Sequence, residues 1–283
     1  MNSVYSKPWN IGLEEALKGC TSVFILSDSN LPKSYLEEVI EVCCLQEKVL
    51  THSISGGEQI KTLTQSENLY LELINAGADR KTVIICLGGG TITDLGGFVA
   101  STFKRGIDLI LLPTTLLAMV DAAIGGKNGV NLSSNHGNLK NQIGTFHLPK
   151  FIGLNASWLE SLPERELKSG KSEMIKHALL FGEKNYIDQV LNTEISELEG
   201  LIVKSAQIKQ NIVDQDLFEK GSRAQLNLGH TIAHALETLA SKNGEDLRHG
   251  EAVAWGLAFA LKVSNKHLDI QDKIISGLSI SIH

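Results

Sequence analysis

The stretch TVIICLGGGTITDLGG, residues 82–97, decides the fold. Thr82 to Leu87 form a short apolar run, which reads as a buried strand. It runs directly into Gly88, Gly89 and Gly90, and helical character follows from about Ile92 to Phe103. A strand that passes through glycines into a helix leaves backbone N–H groups open to a pyrophosphate. The triplet is not the GxGxxG fingerprint, and on its own it is equally a plain tight turn. Asp94 lies four residues past Gly90. A carboxylate there repels a close phosphate, so its role falls on a ribose hydroxyl or on helix geometry.

Working outward, the same alternation recurs. SVFILSD (22–28) reads as a strand that ends in the polar turn Ser27-Asp28-Ser29-Asn30. A helix is expected over about 33–44, a strand at KVLTHSI (48–54), and a helix over 64–76 that stops at Asn75-Ala76-Gly77. IDLILLPTT (107–115) is the next strand. Strand–helix alternation implies a parallel sheet with ligands at the carboxyl ends of its strands. IGGKNGVNLSSNHGNLKNQIG (124–144) reads as a long polar loop, a feature that is usually functional. From about Ser157 onward only helical periodicity remains, in LPERELKSGKSEMIKHALLF (162–181), EISELEGLIVKSAQIKQNIV (194–213), GHTIAHALETLASK (229–242) and GEAVAWGLAFALKVSNK (250–266). The expected architecture is a Rossmann-like α/β domain over 1–153 followed by an all-helical domain over 154–283.

Composition narrows the function. The chain has 283 residues, 42% of them hydrophobic, enough for a sizeable core. A net charge of −6 argues against general nucleic-acid binding, and 5% aromatic residues argue against a base-stacking platform. Cys20, Cys43, Cys44 and Cys86 form no CxxC pair, as expected of a reduced, cytoplasmic chain. No apolar segment reaches the length of a membrane span, so a soluble protein is expected.

The chemistry concentrates on a few residues. His230 and His234 are four apart and share a helical face. His249 opens HGEAVAWG, and Glu173 opens EMIKHALL. Imidazoles and a carboxylate of this kind make a divalent-metal site with an open position. The spacing is not HExxH, because Thr231 follows His230. Glu173 with Lys176 one turn on is otherwise a solvated surface pair. Lys127, Lys140, Lys209 and Arg223, near Asn131, Asn141 and Asn227, are either unrelated surface charges or a grip on an anionic substrate.

Six blocks together carry a resemblance. GGGTITDLGGFVAST (88–102), LLPTTLLAMVDAAIGGKNGVN (111–131), LKNQIGTF (139–146), LPERELKSGKSEMIKH (162–177), GSRAQLNLGHTIAHALE (221–237) and HGEAVAWG (249–256) resemble, in order, the 3-dehydroquinate synthase family. The resemblance implies a lyase of the shikimate pathway, which feeds aromatic amino acid biosynthesis. It would convert the sugar acid phosphate DAHP to 3-dehydroquinate and phosphate, using catalytic NAD and zinc or cobalt. It implies Glu173, His230 and His249 as metal ligands and His234 near the substrate. Asp121, Lys127, Asn131, Lys140, Asn141, Lys176, Lys209, Arg223 and Asn227 match substrate-site positions, with Asp121 and Lys140 also beside the cofactor. Arg105 matches an arginine that reaches the neighbouring subunit of a homodimer. Asp28, Asn30, Glu58, Lys61, Gly89, Gly90, Thr91, Asp94, Thr114 and Thr115 match the NAD set.

Two departures stand out. Asn155 replaces a frequent Asp, and the family normally continues past this chain's His283 with an Asp-Lys-Lys block. The expectation from that shortness is an open substrate wall and an exposed apolar patch at Ile274, Ile275, Leu278 and Ile280. The competing readings are another sugar phosphate cyclase, a metal-dependent polyol dehydrogenase, or a short homologue without activity.

Overall fold

The computed structural model describes residues 8–44, 46, 48–134, 137–265 and 268–278. The chain divides into two compact units, one ending at Ser161 and the other beginning at Leu162. Among the described residues, no helix is long and apolar enough to cross a membrane.

The first unit is built on a parallel sheet. Its strands are β1 (Ser22–Asp28), β2 (Val49–Ile54), β3 (Thr82–Gly88), β4 (Asp108–Pro113) and β7 (Phe151–Ile152), in the order β2-β1-β3-β4-β7. Helices α1 (Trp9–Ala16), α2 (Lys33–Cys43), α3 (Leu63–Asn75) and α4 (Gly90–Thr102) accompany it. β3 is buried along its whole length, which explains an apolar run without alternation. The chain leaves β1 for β2 on one flank and returns to β3 on the other. The direction of winding therefore reverses between β1 and β3, at the crevice where open α/β sheets bind ligands. The glycine turn closes β3 at that end, and Asp28 closes β1 beside it.

The stretch 124–144 is not a loop. It forms an antiparallel hairpin of β5 (Lys127–Ser134) and β6 (Gly137–Phe146), with a register shift between Val130 and Leu132. The sequence hides it because its polar strand residues bond internally. Asn128 is 7% exposed and donates through Nδ2 to the carbonyls of Gly126 (2.9 Å) and His147 (3.1 Å). Asn and Gly score poorly as strand formers, yet satisfied amides and close backbone approach suit them here.

The second unit contains α5 (Glu164–Phe181), α6 (Lys184–Asn192), α7 (Glu199–Gln215), α8 (His230–Asn243), α9 (His249–Ser264) and α10 (Leu268–Leu278), with no strand among the described residues. The segment 194–213, read as one helix, is a short turn at Ile195–Glu197 followed by α7. Every residue of α5 from Ser169 to Ala178 is buried, so this helix is the axis of the unit despite its charges. α9 packs against α5, α8 and α10.

Among the described residues of α10 the expected apolar patch is not exposed. Ile274 and Leu278 are 0% and 1% exposed, and Ile275 is half-buried. α10 turns this face onto α9 and α5, which supply the cover that further chain was expected to give. Ile280 lies outside the described residues.

Trp158 anchors the end of the first unit. It is fully buried in the cluster of Leu13, Leu17, Tyr35 and Val39, lies 4.9 Å from Trp9 between ring centroids at a tilt of 52°, and donates through Nε1 to Glu38 Oε2 at 3.2 Å. Trp158→Ala is expected to cost about 3–5 kcal/mol, the usual range for emptying a core aromatic. Urea denaturation followed by circular dichroism measures it; a loss below about 1 kcal/mol contradicts the assignment.

Candidate functional site

In the second unit three helices each bring one donor to a common point. Glu173 lies in the buried centre of α5, His230 is the first residue of α8, and His249 is the first residue of α9. Glu173 Oε1 lies 3.8 Å from His230 Nε2 and 3.6 Å from His249 Nε2. Those distances are too long for hydrogen bonds. Nitrogen and oxygen ligands around a tetrahedral zinc sit about 3.4 Å apart, given metal–ligand bonds near 2.1 Å. The donor set and its spacing therefore fit a divalent cation.

The surroundings hold the donors in that aim. His230 Nδ1 lies 3.2 Å from the Leu228 carbonyl, so Nδ1–H donates there and Nε2 keeps its lone pair. His249 Nδ1 faces Glu237 Oε2 at 3.6 Å. Burial lowers the pKa of His230, countered only in part by Glu173. Burial also pulls on His249, but Glu173 and Glu237 outweigh it and raise that imidazole to about 10. The same negative potential that favours a proton on His249 favours a cation at the donor point.

Lys176 and Glu173 are not a solvated surface pair. They are 1% and 0% exposed and form a buried ion pair. His234 shares the helical face but is exposed, with its ring edge-on to His230 at 5.5 Å. The donor group contains His230 and not His234. Periodicity offered both histidines as ligands; the helix starts at His230, so only that ring meets Glu173 and His249. Lys209 and Arg223 are 7% and 2% exposed, hence not surface charges. Arg223 donates through Nη1 to the Leu217 carbonyl at 2.6 Å, while Asp216 Oδ2 accepts from the Arg223 backbone N–H at 3.1 Å. Asn227 is exposed and donates to Glu219 Oε1 at 3.2 Å.

In the first unit several residues that the resemblance matched to cofactor positions are linked by hydrogen bonds near the ends of β1 and β3. Asp28 Oδ1 accepts from the Asn30 backbone (2.9 Å), Asn30 Nδ2 (3.0 Å) and the Gly56 backbone (3.0 Å). Thr91 Oγ1 accepts from Gly57 N at 3.2 Å. Lys61, 3% exposed, donates to Asp94 Oδ2 (2.7 Å) and Asn141 Oδ1 (2.6 Å), with Glu58 Oε1 at 3.7 Å. Asn131 Nδ2 donates to Glu58 Oε1 at 2.8 Å, and Asn131 Oδ1 accepts from Asn141 N at 2.8 Å. Asn131 and Asn141 thus stand in one polar knot with Glu58, Lys61 and Asp94. Gly89 caps α4, and a Cβ on it would lie 3.0 Å from Thr115 Cγ2. Gly90 begins the helix, and Thr114 donates its backbone N–H to Gly88 at the end of β3. Asp121 is half-buried in a π-helical turn at 118–122, while Lys127 and Lys140 are exposed on the hairpin. Arg105 is exposed on a turn where Lys104, Arg105 and Gly106 all have positive φ.

Sequence reasoning missed Glu237, Ser169, Gly250 and Gly256. The last two are visible only as helix glycines without evident purpose. A Cβ on Gly256 would lie 2.1 Å from the Gly229 carbonyl oxygen, so α9 touches the backbone just before His230. Gly250 similarly abuts Ser169 on α5.

A parallel-sheet unit with a glycine turn at its switch point and a helical unit with a metal-type donor group define a nicotinamide- and metal-dependent enzyme architecture. A solved structure of that class is similar: 2-deoxy-scyllo-inosose synthase complexed with carbaglucose-6-phosphate, NAD+ and Co2+. It is 30% identical, with a TM-score of 0.83, covering 95% of this chain and 76% of that one. The family model for the 3-dehydroquinate synthase N-terminal region matches residues 51–169, and the C-terminal model matches 170–279. A 3-dehydroquinate synthase from Leptospira interrogans is 41% identical over 260 residues, covering 90% of this chain and 70% of the relative. One from Pyrococcus abyssi is 44% identical over 248 residues, covering 86% and 71%. The chain belongs to the 3-dehydroquinate synthase family.

Gly256→Ala is expected to push α9 away from the start of α8. Overpacking of this kind costs about 1–3 kcal/mol, more than the helix propensity gained. Zinc affinity should fall alongside thermal stability. Unchanged zinc affinity, measured by competition with a chromophoric chelator, removes the contact from the account of the site.

Proposed function

We propose that the chain is a 3-dehydroquinate synthase, a lyase that converts DAHP to 3-dehydroquinate and phosphate with catalytic NAD and a divalent metal. One observation carries the reading: both family models match in order, and the second contains the Glu173–His230–His249 donor group. When bound, the metal supplies Lewis-acid polarisation of substrate hydroxyls, and NAD supplies a hydride acceptor that is regenerated.

The chain's own residues do the rest. Glu173, His230 and His249 would hold the metal, with the Leu228 carbonyl and Glu237 fixing the imidazoles. Lys209 and Arg223, buried and therefore undiluted by water, suit the anionic groups of a sugar acid phosphate. The Leu217 carbonyl fixes the plane of the Arg223 guanidinium before any ligand arrives. Lys176, Asn227 and His234 complete the substrate set in the second unit, and Asp121, Lys127, Asn131, Lys140 and Asn141 in the first. The NAD set is Asp28, Asn30, Glu58, Lys61, Gly89, Gly90, Thr91, Asp94, Thr114 and Thr115. Departure of phosphate takes a proton from the adjacent carbon; the leaving phosphate itself would accept it, and these cations would hold that phosphate in place. Arg105, held out on its strained turn, suits a role at a partner subunit's site, and a homodimer follows from that reading. Four unpaired cysteines suit a cytoplasmic location.

Incubation with DAHP, NAD and zinc should release phosphate in step with dehydroquinate and with no net NADH. Accumulating NADH overturns the reading in favour of a polyol dehydrogenase. Alanine at Glu173, His230 and His249 together should abolish stoichiometric zinc retention after dialysis.

Gly89→Val should abolish NAD binding, since the added side chain meets Thr115 and covers the turn. Arg223→Ala should cost about 2–5 kcal/mol in transition-state binding and leave NAD affinity unchanged. Equal losses for substrate and NAD mark a folding defect instead.

A further inference from the structure

We propose that Arg165 is a positioning residue that holds metal ligand His249 in register with metal ligand Glu173. The inference rests on the metal reading given above. His249 is the first residue of α9, where a helix end ordinarily frays. The chain arrives there from α8 through a break that begins at Gly244, a left-handed residue with φ 72°. The approach to His249 therefore has no regular structure of its own, and side chains must set it.

Arg165 supplies that restraint. Its Nε and Nη2 fork onto the two carboxylate oxygens of Glu251, at 2.6 and 2.7 Å. Nη1 donates to Asp246 Oδ2 at 2.9 Å, and Nη2 also donates to the Asp246 carbonyl. One guanidinium thus ties residues on both sides of His249, three before it and two after. Glu251 passes the restraint on by accepting from the Arg248 backbone N–H at 2.9 Å, the residue immediately before the ligand. Arg248 in turn reaches Glu166 Oε1 at 2.9 Å. Arg165 and Glu166 both belong to the first turn of α5, and Glu173 is two turns further along the same rigid helix. Four residues after Arg165, Ser169 Oγ accepts from Gly250 N at 3.0 Å, and a Cβ on Gly250 would lie 2.1 Å from the Ser169 carbonyl. α9 is thereby seated on α5 in backbone contact, and the Arg165 fork fixes its remaining freedom to pivot.

An isolated surface ion pair contributes little. This one differs in form, being bidentate, with Glu251 only 13% exposed, and part of a network of five charged groups. Lysine cannot replace it, because a point charge does not span both oxygens of Glu251 and Asp246 together.

The test measures zinc affinity of the full chain by chelator competition, the visible spectrum of the Co2+-loaded protein, and metal-free thermal stability. Arg165→Ala is expected to weaken zinc binding roughly tenfold or more, as loss of an outer-sphere support does, and to alter the cobalt spectrum. Arg165→Lys should not restore either. Lys168→Ala, which removes the neighbouring exposed pair with Glu164, should leave zinc affinity unchanged. If Arg165→Ala does not fold, Glu251→Gln replaces it under the same expectations. Zinc affinity within twofold of the starting protein, with only a lowered melting temperature, overturns the proposal and leaves Arg165 a plain stabilising contact. A starting protein that takes up no zinc overturns the metal reading, and this proposal with it.

Discussion

A carboxylate with no exposed surface is expensive unless cations meet it, and Glu173 is such a group. The helical unit is arranged around that cost. Lys176 sits one turn along the same helix and pairs with it inside the protein. His230 and His249 approach the same carboxylate from two further helices. Each approach demands close backbone packing, which is why α9 meets α5 at Gly250 and the start of α8 at Gly256. A buried charge thus dictates which helices touch and where they carry no side chain. The same charge, with two imidazoles facing it, makes a donor group that could hold a metal ion.

The first unit solves a parallel problem with opposite sign. Lys61 is a buried cation, and Asp94 and Asn141 answer it at hydrogen-bond distance, with Glu58 close by. Asn131 then bonds to Glu58 and to Asn141, so the hairpin is tied to the edge of the nucleotide-type crevice through side chains. The carboxylate of Asp94 is thereby occupied by an ammonium group, which reduces its repulsion of a nearby phosphate. That answers the difficulty the sequence posed about an acidic residue four positions past a glycine turn.

Much of this was legible in the residues. The alternation of strands and helices, the switch to helix alone and the glycine turn are periodic or compositional signals, and they appear as expected of a parallel sheet and a helical unit. What was illegible depends on partners far apart in sequence. The hairpin at 127–146 reads as loop because Asn128 and Asn131 find carbonyls, carboxylates and amides that local sequence does not reveal. Spacing alone left Glu173 and Lys176 open to being a surface pair, because it is the same whether water or protein surrounds them. His234 reads as equal to His230, since periodicity gives the face of a helix but not which end of it the site occupies. The α10 face reads as uncovered because its cover comes from α9 and α5.

Fold alone does not choose among the chemistries this architecture supports. The proposed substrate set adds its cations to the family match. A neutral polyol offers a guanidinium no anion to grip, whereas the buried Lys209 and Arg223 suit an anionic substrate. A substrate with both a phosphate and a carboxylate repays their desolvation through charge-assisted hydrogen bonds in a site shielded from water. The carbonyl of Leu217 orients the Arg223 guanidinium, and Asp216 secures the backbone beneath it, an arrangement that would lower the ordering cost of binding an anion there. Buried cations on the helical unit are in keeping with the anionic substrate that the proposed reaction requires.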